Sequence, residues 1–193
     1  FWQHWYPKLQ AAFPGRFDAV PLDAFYRAIN QVAPSFIRVE ADEVTYNLHV
    51  MLRFDIERAL VDGSLTAADV PAAWNAAMED YLGITPPTDR EGCLQDIHWS
   101  IGLVGYFPTY TLGTLMSAQL FEAALRDLGD LPAAFARGEY VPLRTWLREH
   151  IHVHGRVYTA SELLSRVCDS DLQAEPWLEY ATEKYRAIYR LGG

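Results

Sequence analysis

Apolar residues recur along the chain at the three- and four-residue spacing of one helix face, and they nowhere alternate long enough to build a sheet. The opening residues Phe1-Trp2-Gln3-His4-Trp5-Tyr6 read as the middle of a packed helix, which points to missing sequence upstream. Leu22, Phe25, Tyr26 and Ile29 form the next stripe, opened by Pro21 and closed before Pro34. A long helix is predicted from about Val39 to Val61, with Val44, Leu48, Met51, Leu52, Ile56, Ala59 and Leu60 on one face and Gly63 past its end. Trp74, Met78, Tyr81 and Leu82 mark another, started by Asp69-Val70-Pro71 and ended by Gly83. Beyond the Thr85–Asp89 loop, Pro108 begins a helix reaching about Leu128, striped by Leu112, Leu115, Met116, Leu120 and Ala124. Three further helical segments are expected at about 141–151, 160–168 and 174–190. The pattern predicts an all-α, multi-helix single domain over residues 1–193.

Composition narrows the functional classes. Half of the 193 residues are hydrophobic, and six Trp, eleven Tyr and nine Phe can fill a sizeable core. A formal charge of −9 repels phosphate backbones and argues against nucleic acid as a partner. No apolar stretch approaches the roughly 20 residues that span a bilayer, so no membrane partner is expected. Cys93 and Cys168 make no CxxC pair and no disulfide framework, which fits a reducing, cytoplasmic home.

Three clusters could carry chemistry. His150, His152 and His154 alternate, and His150 and His154 stand at the i,i+4 spacing of two zinc ligands. Ile151 occupies the position where an HExxH zinc motif needs Glu, and Gly155 follows, so three histidines at a helix end are the simpler reading and no metal ligand is assigned. In the second cluster, Arg38, Asp42, Tyr46, His49 and Arg53 would form one polar stripe if the helix were continuous through Arg38. That stripe could line a cleft, or be a solvated face with an Arg38–Asp42 pair. The third cluster packs Gln95, Asp96, His98 and Trp99 into Gly92–Trp99 and is followed by Gly105-Tyr106-Phe107-Pro108-Thr109-Tyr110. Pro108 disfavours α conformation at Phe107, leaving Tyr106 on the incoming loop and Tyr110 in the first helical turn. Both phenols could converge with His98 near a helix N-terminus, or be core residues with bonded hydroxyls.

The combination resembles the zinc carboxypeptidases of the thermostable carboxypeptidase Taq type. Two motifs of that family, IRxxAD and GxxQDxHW, stand intact as Ile37–Asp42 and Gly92–Trp99. Phe25–Asn30, Glu40–His49, Gly105–Tyr110 and Trp146–Glu149 with Ile151-His152 look like the family too, so the resemblance covers essentially the whole chain. The family's HPF, DxRxT, HExxH and HES motifs are not in this sequence, and HExxH and HES supply the metal ligands and the catalytic Glu.

The resemblance implies the C-terminal half of a helical, groove-shaped metallopeptidase. It implies zinc or cobalt in the intact enzyme, with none expected in this chain, which alone would be inactive. It also implies release of single residues from peptides with a free C-terminus, in a protein that is often homodimeric. By similarity to helical zinc peptidases, His98, Tyr106 and Tyr110 are the expected catalytic residues, holding a developing oxyanion or the substrate carboxylate. Arg38 is expected to bind substrate as a carboxylate clamp, or else to pair with Asp42. Gln95, Asp96 and Asp42 are expected to support these groups, Gln95 and Asp96 by orienting His98. Apolar faces left by a missing N-terminal half, such as Phe1, Trp2, Trp5 and Tyr6, would drive homo-oligomerisation. The alternative is a stand-alone, non-catalytic helical module that binds a peptide or protein partner.

Overall fold

In the computed structural model, which describes residues 1–192, every regular element is helical. Among the described residues there are nine α-helices: α1 Trp2–Ala12, α2 Leu22–Ile29, α3 Thr45–Asp62, α4 Val70–Leu82, α5 Pro108–Leu128, α6 Leu131–Arg137, α7 Val141–His150, α8 Ala160–Cys168 and α9 Glu175–Tyr189. Short 3-10 turns occupy Arg38–Glu40, Ala67–Asp69, Trp99–Ile101 and His152–His154. None of the helices is long and apolar enough to cross a membrane. The chain forms two compact units, Phe1–Asn30 with Thr114–Gly193, and Gln31–Gly113.

The first unit is organised by apolar and aromatic packing. Ala123 and Ala124 of α5, Leu131 of α6 and Trp146 of α7 form one buried cluster. Trp146 satisfies its indole N–H on Asp127 at 2.8 Å, which lets so large a ring be buried without an orphaned donor. A second aromatic group joins α1 to α2, where Tyr6 and Trp2 both pack on Phe25 with ring centroids 4.7 and 4.9 Å away.

The second unit packs α3 against α4 through Leu52, Ile56, Trp74, Met78 and Leu82. Each such fully buried side chain contributes about 1.5–3 kcal/mol of hydrophobic stabilisation. This packing fixes the orientation of α3 and so aims its polar residues.

Two boundaries differ from the patterning. The long helix begins at Thr45, not near Val39. The Asp42 carboxylate is the reason: it accepts from the backbone N–H groups of Val44 and Thr45, each at 2.9 Å, and from the Thr45 hydroxyl at 2.8 Å. An Asp side chain bonded in this way supplies a helix start and competes with a helix running through it. The other difference is α6, a seven-residue helix too short to show a periodic stripe. It is nucleated by the Asp130 carboxylate accepting from the Ala133 N–H at 2.9 Å.

Candidate functional site

The two motif segments meet within the second unit. Gly92–Trp99 turns tightly: a Cβ on Gly92 would lie 3.2 Å from the Thr88 carbonyl oxygen, a close contact that a glycine avoids. Gln95 then joins the segments. Its Oε1 accepts from the Arg38 N–H at 2.8 Å, and its Nε2 donates to the carbonyls of Phe36 and Glu91, both at 2.9 Å. Gln95 therefore positions the Phe36–Arg38 backbone, with its amide occupied away from the His98 ring.

Asp96 lies between two buried guanidiniums. Arg38 Nη2 donates to its Oδ1 at 2.6 Å, and Arg53 Nε donates to its Oδ2 at 2.7 Å. Arg38 is only 5% exposed and Arg53 is fully buried. Burial works to raise the Asp96 carboxyl, but the bonds and charges of the two arginines overcome it and hold Asp96 below the ordinary carboxylate value. Burial pulls Arg38 down, and Asp96 and Tyr46 more than offset that, leaving it raised. Burial dominates at Arg53, with Asp96 opposing, and lowers it to about 10. Arg38 also donates to the Tyr46 hydroxyl at 2.8 Å, and Arg53 to the His49 carbonyl at 2.8 Å. His49 is wholly buried, and burial followed by the Arg53 charge lowers its imidazole to about 4, so it is neutral at pH 7.

The ion pair of Arg38 is thus with Asp96, far along the chain, and not with Asp42. The i+4 spacing that suggested the Arg38–Asp42 pair assumed a helix, whereas Arg38–Glu40 is a 3-10 turn followed by extended backbone at Ala41. Asp42 spends its second oxygen on the Ala33 N–H at 3.0 Å and the Thr45 hydroxyl.

His98, Tyr106 and Tyr110 come together beside this ionic cluster. The His98 Nε2 and the Tyr110 hydroxyl lie 3.1 Å apart in a hydrogen bond. Nδ1 of His98 faces Asp96 Oδ1 at 3.8 Å, beyond hydrogen-bond reach. The His98 ring packs on Phe107 at 4.3 Å and on Tyr106 at 5.5 Å between centroids. Phe107 is nearly fully buried and anchors the segment, while Tyr106 is 41% exposed. The Tyr106 carbonyl accepts from the Thr109 N–H and the Phe107 carbonyl from the Tyr110 N–H, so Tyr106 sits on the incoming loop and Tyr110 in the first turn of α5. Asn47 of α3 accepts from the Thr111 hydroxyl at 2.9 Å, tying that first turn to α3. Burial is the main cause that raises the Tyr110 phenol above its ordinary value, with Tyr106, Tyr46 and Asp96 adding and Arg38 opposing. Tyr110 is therefore a protonated donor throughout the neutral range. The Arg38 guanidinium carbon lies 5.0 Å from the Tyr110 ring centroid, a cation–π distance.

His150, His152 and His154 do not converge on one point. His150 Nδ1 donates to the Trp146 carbonyl at 2.9 Å and its ring stacks on Trp146, while His154 packs edge-on against Tyr158. Among the described residues no group of three or more His, Cys, Asp or Glu side chains is arranged to hold a metal ion.

Sequence reasoning placed Arg53 and His49 on a polar stripe without giving them a role, and it passed over Glu57 altogether. The signal was present. His49, Arg53 and Glu57 follow one another at i,i+4 on the same helix as the core residues Leu52 and Ile56, and all three are buried. Charged groups spaced to enter a core mark a built ionic cluster.

The fold is shared with solved carboxypeptidases. It matches the M32 carboxypeptidase from Deinococcus radiodurans R1 with a TM-score of 0.95 at 41% identity, over 98% of this chain and 38% of that one. The Pyrococcus furiosus carboxypeptidase matches with a TM-score of 0.91 at 44% identity, over 95% of this chain and 37% of that one. These likenesses define the class: an all-helical chain with the fold of carboxypeptidases. A model of the family described as carboxypeptidase Taq (M32) metallopeptidase matches residues 1–185, and the chain belongs to that family. Carboxypeptidase 1 of Bacillus subtilis is 44% identical over 191 residues, and thermostable carboxypeptidase 1 of Thermus thermophilus is 46% identical over 189 residues. Those alignments cover 99% and 98% of this chain but 38% and 37% of the two proteins, so the chain spans a little over a third of their length.

Proposed function

We propose that this chain forms part of the active site of a metallocarboxypeptidase that removes single residues from peptide C-termini, with His98, Tyr106 and Tyr110 meeting the substrate. The observation that carries the reading is the His98–Tyr110 hydrogen bond beside an exposed Tyr106, in a chain of this family. Tyr110 and Tyr106 carry hydroxyls suited to a developing oxyanion or to the substrate carboxylate, and His98 fixes the direction of the Tyr110 hydroxyl. One donor aimed at an oxyanion is typically worth about 3–4 kcal/mol of barrier. Arg38 is committed to Asp96 and Tyr46, so it serves the substrate through its positive field beside the Tyr110 ring rather than by a bidentate grip.

The family name implies a metal, and the resemblance implies zinc or cobalt. The donors of this chain do not fit such an ion, because no three of its described His, Cys, Asp or Glu side chains converge. The residues present therefore act in substrate binding and charge stabilisation. In a full-length family enzyme carrying these residues, His98→Ala should lower kcat by about 10²–10³ at unchanged metal content. Normal turnover by a folded, metal-loaded variant would remove His98 from the site.

A further inference from the structure

Glu57 lies one helical turn beyond Arg53 on α3 and is only 5% exposed, yet no Lys, Arg or His of the described residues comes within ion-pair distance of it. Its Oε1 accepts a hydrogen bond from the backbone N–H of Gly105, and its Oε2 is buried without a partner. A carboxylate kept from water with one bond and no counter-charge is unfavourable for folding. A residue of that kind inside a packed helix needs a reason other than stability.

Gly105 supplies the reason. Its φ of +78° is a left-handed conformation, and a Cβ there would meet open space, so glycine is needed for backbone direction and not for room. The neighbouring side chains give the segment little hold of their own: Leu103 is 38%, Val104 59% and Tyr106 41% exposed. Other backbone ties around this bend are the Leu103 N–H to the His98 carbonyl, at 2.9 Å, and the Thr109 N–H to the Tyr106 carbonyl, at 3.0 Å. Tyr106 comes directly after Gly105, with its ring 5.5 Å from both His98 and Tyr110.

We propose that Glu57 is a positioning residue that sets Tyr106 against His98 by holding the Gly105 amide from within α3. The assignment of Tyr106 to the substrate rests on the function proposed above; the hold of Glu57 on Gly105 does not. Glu57→Gln keeps an oxygen that can accept from Gly105, whereas Glu57→Leu removes the acceptor and fills the same volume.

The test is amide hydrogen exchange and NMR on the 193-residue chain, with no substrate present. In the wild type, the Gly105 amide should exchange at least tenfold more slowly than that of Val104. Glu57→Leu should abolish that protection and the ring-current and NOE contacts between Tyr106 and His98, leaving the His98–Tyr110 contacts in place. Glu57→Gln should restore both. An unprotected Gly105 amide in the wild type overturns the proposal without any variant, so a failure of Glu57→Leu to fold does not shelter it. Unchanged Tyr106 signals in Glu57→Leu, or a Glu57→Gln variant as defective as Glu57→Leu, would overturn it too. Failure of the functional reading would show separately, as normal turnover by a full-length Tyr106→Phe enzyme.

Discussion

The two units treat charge in opposite ways. In the first, ionised groups stay at the surface: Arg137 pairs with Glu139 while both remain more than half exposed, and Glu162 closes the capping box at the start of α8. Its interior is held by Trp146, Leu131 and the alanines of α5. In the second unit, Arg38, Arg53, Asp96 and Glu57 are carried inside next to an α3–α4 core that already packs without them. A buried ion pair is often no more stabilising than apolar residues of the same volume. The second unit therefore bears a thermodynamic load that the first avoids, and the load sits beside the residues expected to meet substrate.

The sharpest way to break this contrast is to remove the anion that two buried cations share. Asp96→Ala should destabilise the second unit by about 3–5 kcal/mol, because Arg38 and Arg53 would then be buried without compensation. Arg137→Ala, which breaks an exposed pair in the first unit, should leave the melting temperature unchanged. Urea unfolding followed at the amides of α3 and α7 separates the two responses. Equal, small effects would mean that the buried cluster is no more demanding than a surface pair.

A smaller effect comes from pH. The unfolded chain's His49 takes a proton near pH 6.5, while the folded imidazole resists until about pH 4. The unfolded state thus binds more protons in that window, and stability falls as pH drops from 6.5 to 4, by about 3 kcal/mol for this one group. Asp96, held low by its arginines, adds a loss below the ordinary carboxylate range. The lowered carboxyls of the first unit, Glu139 and Glu162, are solvent-screened and should contribute little. Denaturant midpoints for α3 and α7 amides at pH 7 and pH 4 check this, and an α3 midpoint that does not move would contradict the burial of a neutral His49.

The helices were legible where apolar periodicity and terminal signals agreed. Pro108 opens α5, α4 follows its stripe, and α7, α8 and α9 lie within the segments expected for them. The start of α3 was not, because a side chain decided it: the bonds of Asp42 to Val44 and Thr45 end the helix where the apolar pattern would let it continue. The residue types of the candidate site stood out in the sequence, but their pairing did not. Pro108 put Tyr106 on the incoming loop and Tyr110 in the first helical turn and left their approach to His98 as one of two readings, whereas the Arg38–Asp96 and Arg53–Asp96 pairs join residues 58 and 43 positions apart, which no local spacing encodes. The i,i+4 spacing after Arg53 marks Glu57 as inward-facing, but its partner is a backbone amide and leaves no mark on residue type.

As proposed above, the Tyr110 phenol, held protonated beside His98, stabilises charge in the transition state and is not merely a bonded core residue. The most direct measurement is turnover of a full-length family enzyme carrying Tyr110→Phe, with metal content and melting temperature recorded on the same sample. The expected result is a fall in kcat of about 10²–10³ with the metal retained and the fold intact. A loss of about 1–2 kcal/mol in stability with kcat nearly unchanged is what a structural hydroxyl would give, and that result would contradict it.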